Sequence, residues 1–221
     1  MINIKLLWII IDAGSSKRIK YLLNKFGVKV KLVSNASGTA SPSVLSYFGL
    51  TETKKEVFQA IISEELSEKI LKKVNHEFNL GEIGTGVAFT IPISSSNKYL
   101  SDHFQNDNAD RGEIKMEKKK SIQHHLIMTI VAEGYLEKVM TSAKKAGSSG
   151  GTAIKGRGLN NQKKAKILGF NIEPERDIVL NVVTNENKTK VMEEITKEVG
   201  IKTDGNGICL SLPIEDIVGL K

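Results

Sequence analysis

The 221-residue chain is 40% hydrophobic and 26% charged, enough apolar material for two ordinary cores and too polar a balance for a membrane protein. Leu6 to Ile11, the longest apolar run near the start, is far short of the roughly 20 residues that span a bilayer and has no small-residue cleavage site, so no signal peptide is expected. A single cysteine, Cys209, excludes an intramolecular disulfide framework and points to a cytoplasmic protein; the net charge of +7 permits phosphate ligands, while the 5% of aromatics, none interleaved with a basic stretch, argue against nucleic acid.

In chain order, Leu6 to Ile11 reads as a short strand covered on both faces. Ser15 or Ser16 then caps a helix carrying Ile19, Leu22, Leu23 and Phe26 at i, i+3, i+4 and i+7, and Gly27 ends it. Val28 to Val33 alternates with lysines as a half-buried strand, a loop runs from Asn35 to Thr53, and a strand follows from Glu56 to Ile62. A helix from Glu64 to about Glu77 gathers Leu66, Ile70, Leu71 and Val74 on one side. The turn Gly84-Thr85-Gly86 leads into a strand from Val87 to Ile91. Residues 94–121, polar and bearing Ser94-Ser95-Ser96 and Lys118-Lys119-Lys120, form a linker. Beyond it, strands are expected near His125–Val131, Gly151–Lys155, Asp177–Val183 and Gly207–Leu212, with helices at about Tyr135–Ala146 and Asn187–Val199.

The second half repeats the first. A gap-free shift of 120 carries Gly14, Gly27, Gly38 and Gly49 onto Gly134, Gly147, Gly158 and Gly169, and a shift of 121 carries Gly84, Gly86 and Pro92 onto Gly205, Gly207 and Pro213. Glycine and proline mark places where the backbone is special, so their order aligns two folds. The chain therefore divides into repeat 1 (1–93), the linker (94–121) and repeat 2 (122–221). Each repeat is β-α-β-β-α-β, giving an α+β fold of two tandem ferredoxin-like sandwiches. Helices cover only one face of such a sheet, so the bare face is expected to pack on other copies of the domain.

Two stretches carry a resemblance. Gly205-Asn206-Gly207-Ile208-Cys209-Leu210-Ser211-Leu212-Pro213-Ile214-Glu215-Asp216 resembles the closing motif of the nitrogen-regulatory P-II signal-transduction family, and Ala146-Gly147 through Gly151-Thr152 to Lys155-Gly156-Arg157-Gly158 resembles that family's passage into its flexible loop. With the duplicated pattern, the resemblance covers nearly everything except the linker. It implies a non-enzymatic, homo-oligomeric regulator, a trimer, that binds an adenine nucleotide (ATP or ADP) between subunits and signals to a regulated enzyme or a membrane transporter through the loop, with no required cofactor and a role in nitrogen regulation.

Carried over residue by residue, the resemblance implies a ligand site of Thr152, Gly158, Asn160, Gln162, Gly205, Asn206, Gly207 and Lys221. The Gly205-Asn206-Gly207 turn is expected to supply converging backbone amides to phosphate. Ile208, Asn206 and Gly219 replace the family's turn lysine, turn aspartate and one arginine. Two lost cations, each worth about 1.5–3 kcal/mol in charged hydrogen bonds, favour ADP, AMP-like or cyclic ligands over ATP. The second loop carries Lys155, Arg157, Lys163, Lys164 and Lys166, whereas Asn35 to Thr53 carries no Lys or Arg, so partner recognition is assigned to repeat 2.

Two other readings compete: a ligand-free trimeric scaffold or metal-tolerance-type protein of the same fold, and an acylphosphatase-like enzyme using Arg157 and Asn206. No Gly-x-Ser-x-Gly elbow, phosphate-loop motif or His-Glu-x-x-His motif is present, and adjacent His124 and His125 point to opposite faces of a strand, so no catalytic or metal site is expected.

Overall fold

The computed structural model describes residues 4–29, 31–38, 53–80, 82, 84–93, 121–157, 165–167, 170–172 and 175–220. Over these the chain is mixed α+β, with four helices and antiparallel strand pairs. It forms two compact units: unit 1 takes the described residues of Met1–Val33, Glu56–Gln123 and Pro213–Lys221, and unit 2 those of Ser34–Lys55 and His124–Leu212. The units therefore exchange segments that the division at 93 and 122 keeps apart, because the end of the chain packs with the first half.

Unit 1 contains β1 (Ile4–Asp12), α1 (Ser16–Lys25), α2 (Glu64–Phe78), β4 (Gly86–Pro92), most of β3 (Thr53–Ser63), the start of β2 (Lys31–Gly38), and the short terminal strand β11 (Asp216–Val218). Its strand order is β2-β3-β1-β4-β11. Alternation along β1 sends Leu7, Ile9 and Ile11 against Ile19, Leu22 and Leu23 of α1 and Ile70, Leu71 and Val74 of α2, the apolar stripes that the 3.6-residue period foretold. The helix-free face carries Trp8, Ile10, Phe89 and Ile91, all buried within the single chain, with Trp8 stacked on Phe89.

Unit 2 contains β5 (His124–Ala132), α3 (Leu136–Lys145), β6 (Thr152–Arg157), the hairpin β7 (Ala165–Ile167) and β8 (Phe170–Ile172), β9 (Glu175–Thr184), α4 (Lys188–Val199) and most of β10 (Ile208–Ile214). Its strand order is β10-β5-β9-β6-β2, the last contact being Ser37 and Gly38 opposite Ala153 and Thr152. Ile127, Val131, Val179 and Val183 meet Val139, Met140, Ala143, Val191 and Ile195 of the two helices. Thus β4-β1-β3-β2 and β10-β5-β9-β6 share one ferredoxin-like order, each a split β-α-β with an antiparallel strand between.

Paired glycines adopt paired conformations: Gly14 and Gly134 have φ of 93° and 89°, and Gly27 and Gly147 of 71° and 103°. Other local readings change. The second strand is displaced from Val28–Val33 to Lys31–Gly38, because Lys31 Nζ donates to Asn24 Oδ1 and Val28 O and ties the preceding residues to the end of α1. Of the expected Asn35–Thr53 loop, 35–38 belong to β2 and Thr53 begins β3, and the remainder lies outside the described residues. Neither Ser15 nor Ser16 caps α1 by its hydroxyl; Glu56 of β3 does so from outside, accepting from Ser15 N at 3.1 Å and Ser16 Oγ at 2.9 Å.

Candidate functional site

The turn that follows α4 is closed on itself. Thr203 N donates to Gly200 O, Asn206 N to Thr203 O at 2.9 Å and Gly207 N to Val199 O at 2.8 Å. Asn206 and not a glycine takes the left-handed conformation, at φ 43°. The glycines serve close approach instead: a Cβ on Gly207 would stand 2.3 Å from Val199 O, and one on Gly205 3.1 Å from Tyr135, Val199 Cβ and Val199 O. The amides of Asn206 and Gly207 are therefore spent inside the turn, which corrects the expectation of amides converging on a phosphate.

This turn adjoins the end of the sheet from which the second loop departs. Ala132 N donates to Gly205 O at 2.9 Å, and Arg176 Nη1 reaches Asn206 O at 3.5 Å. The β6–β9 register sets Lys155, Gly156 and Arg157 opposite Asp177, Arg176 and Glu175, so the β9 stem of the loop meets the turn through Arg176 and the β6 stem lies one strand further along.

Asp177 is the buried group of this region, 1% exposed on the helix-covered face of β9. Lys155 Nζ lies 2.8 Å from its Oδ1 and 3.5 Å from Glu133 Oε1. Neither Asp177 oxygen receives a well-directed hydrogen bond, so the ion pair is its main compensation. The bond to Asp177, outweighing desolvation and helped by the charges of Asp177 and Glu133, raises the Lys155 pKa. Lys155 is thus a strand residue engaged with two acids at the β6 stem of the loop.

Thr152 is buried in β6 opposite Leu180, while the turn bonds near Ala132, so the two do not meet within unit 2. Arg157 ends β6 and Lys166 sits in β7. Gly158, Asn160, Gln162, Lys163, Lys164 and Lys221 lie outside the described residues. Asp177 and Glu133 were missed by sequence reasoning; the available signal was an acid at an inward position of an otherwise apolar strand. Among the described residues, no three His, Cys, Asp or Glu side chains are grouped to hold a metal. No helix there is long and apolar enough to cross a membrane.

No protein-family model matches the chain, and no curated protein matches its sequence. Among solved structures, aspartate kinase from Synechocystis is 10% identical over 95% of this chain and 43% of the kinase chain, with a TM-score of 0.31. A mutant chlorite dismutase from Candidatus Nitrospira defluvii is 9% identical over 97% of this chain and 92% of that one, with a TM-score of 0.25. The chain spans less than half the length of the kinase, and TM-scores this low tie it to the activity of neither protein.

Proposed function

We propose that the chain is a non-catalytic, P-II-like regulator whose second unit binds a small anionic metabolite, an adenine nucleotide of modest charge, and signals through the second loop to a regulated enzyme or transporter. The observation that carries this reading is the contact of the β9 stem of the loop with the Gly200–Gly207 turn, where Arg176 Nη1 reaches Asn206 O, with Lys155 on the β6 stem paired to β9. With two turn amides engaged, recognition rests on side-chain cations and on the loop, and this favours ADP or AMP over ATP. Binding would change the order of the loop beyond its paired stems, a change a protein partner can read. The two-repeat chain closes most simply as three copies.

Isothermal titration of the full chain with ATP, ADP, AMP and cyclic nucleotides tests the reading. Heat for ADP or AMP, reduced about tenfold in affinity by Arg176→Ala, is the expected result. An absence of heat for all of them removes the nucleotide and leaves the ligand-free scaffold.

A further inference from the structure

Unit 1 holds a filled carboxylate socket. Lys5, 2% exposed, places Nζ 2.8 Å from Glu215 Oε2, 3.1 Å from Asp216 Oδ2 and 3.3 Å from Glu64 Oε1. Asp216 Oδ2 also accepts from Ser67 Oγ at 3.0 Å and Thr90 Oγ1 at 3.4 Å. Glu215 and Asp216 belong to the terminal strap that adds β11 to the edge of β4. Glu215 N donates to Thr90 O, and Asp216, Ile217 and Val218 lie opposite Thr90, Phe89 and Ala88. Acidic side chains fix the register, and backbone pairing and aliphatics complete it.

The duplication reproduces this socket in unit 2. β5 is β1 displaced by 120 residues (4–12 to 124–132), α3 is α1 displaced by the same number, and α4 ends 121 residues after α2 (78 to 199). At these shifts Lys5, Glu64, Ser67 and Thr90 correspond to His125, Asn185, Lys188 and Ser211. Three of the four meet: His125 Nε2 lies 3.0 Å from Asn185 Oδ1 and its Nδ1 lies 3.2 Å from Ser211 Oγ, while the charge of Lys188 acts on His125. Asn185 Oδ1 can only accept, so Nε2 carries a proton, and Nδ1 pairs with the Ser211 hydroxyl, which can donate or accept. Replacing Glu64 by asparagine and Ser67 by lysine makes this copy the more cationic of the two. β10, which bears Ser211, is the last strand of unit 2, and no strand pairs beyond it among the described residues. Its Cys209, Leu210, Ser211 and Leu212 are half-exposed and Ile208 is 53% exposed, unlike the buried Ala88, Phe89 and Thr90 of β4.

We propose that the outer edge of β10 docks an extended acidic segment of a partner protein. An aspartate opposite Ser211 places its carboxylate among His125, Lys188 and Ser211, and two aliphatic residues follow opposite Leu210 and Cys209. The chain's own Glu-Asp strap occupies unit 1, and the occupant assigned to β10 is a strap-like segment of another protein. Strand addition supplies the backbone bonds, and the cationic socket selects an acidic sequence. This surface is separate from the proposed metabolite site and stands or falls independently of it.

The test titrates the full chain against a fluorescent peptide with the sequence of residues 213–220, Pro-Ile-Glu-Asp-Ile-Val-Gly-Leu, followed by anisotropy. Saturable binding is expected, weakened at least tenfold by Lys188→Glu, severalfold by Ser211→Ala and at least tenfold when the peptide aspartate is asparagine. Hydrogen exchange should slow at the amides of β10. Ser67→Ala, which touches only the filled socket, should leave binding unchanged. Three results overturn the proposal: no binding at millimolar peptide, sensitivity to Ser67→Ala without sensitivity to Lys188→Glu, or an oligomer of the free chain that Lys188→Glu dissolves, which assigns the edge to a second copy.

Discussion

Replacing Lys5 by methionine should loosen the terminal strap and destabilise unit 1. Methionine fills most of the lysine's stem volume, so the loss is chiefly electrostatic. Removing one partner of a buried ion pair costs about 3–5 kcal/mol. The three carboxylates around Lys5 retain 18–28% side-chain exposure and can turn partly toward water, which places the expected cost near the lower figure, about 3 kcal/mol. Trp8, the single tryptophan, is buried in unit 1 and stacks on Phe89, the residue opposite Ile217 of β11, so its fluorescence reports this unit. With a urea dependence of about 1–2 kcal/mol per molar for a unit of this size, the midpoint should fall by about 1.5–3 M. Burial pushes the Lys5 pKa down, but hydrogen bonds and charges from Glu215 and Asp216 outweigh it and hold the ammonium well above its usual value. A raised folded pKa contributes stability that is complete below the unfolded value of about 10.4 and fades as pH rises beyond it, so the wild-type advantage should be level through neutral pH and shrink only in alkali. A midpoint shift under about 0.3 M, or an advantage that already shrinks between pH 6 and 8, would refute the reasoning.

In unit 2, Gly207→Ala puts a methyl 2.3 Å from Val199 O and 3.0 Å from Val131, so a loss of about 2–3 kcal/mol in urea unfolding followed by circular dichroism is expected, with Gly205→Ala costing less. Lys155→Met strands the buried Asp177; because Lys155 itself is largely exposed, the loss should be about 2 kcal/mol, and adding Asp177→Asn should restore most of it in a double-mutant cycle. Burial, then Lys188 and His124, lower the His125 pKa against the raising effect of the Asn185 bond. The unfolded chain then binds the proton more readily, so unit 2 should lose stability as pH falls through and below about 6.5, and His125→Gln should flatten that slope in thermal melts between pH 5 and 8.

What was legible in the sequence is what local periodicity and paired glycines encode. The 3.6-residue stripes of α1 and α2, the continuous apolar strand at Leu6–Ile11 and the matched turns at Gly14 and Gly134 all depend on residues close in sequence, and all have their expected form. The misread features depend on distant partners. The Ser15 and Ser16 cap was displaced by a carboxylate about forty residues away (15 to 56), a contact no spacing rule contains. The Gly205 and Gly207 pair was read as a turn offering amides to phosphate, yet the close approach of Val199 O, Val199 Cβ and Tyr135 is what excludes a Cβ there. Glu215 and Asp216 read as the end of a motif, and only the three-dimensional placement of Lys5, about 210 residues earlier (5 to 215), shows that they fasten a strand.

The same strap accounts for the different fates of the two repeats. A Cβ on Gly219 would stand 2.5 Å from Gly86 O and 2.9 Å from Leu80, so the end of the chain lies against the very turn of unit 1 that corresponds to Gly205–Gly207 in unit 2. With β11 on the edge of β4 and Lys5 neutralising the strap's acids, unit 1 has its edge, its socket and its turn all occupied. Unit 2 repeats the edge and the socket, with lysine and asparagine where unit 1 has serine and glutamate, and among the described residues no second strap fills them. A duplicated fold thereby becomes asymmetric through a single segment: the strap pairs with the edge of unit 1 and meets Lys5, while the proposal for β10 assigns the corresponding edge of unit 2 to a partner.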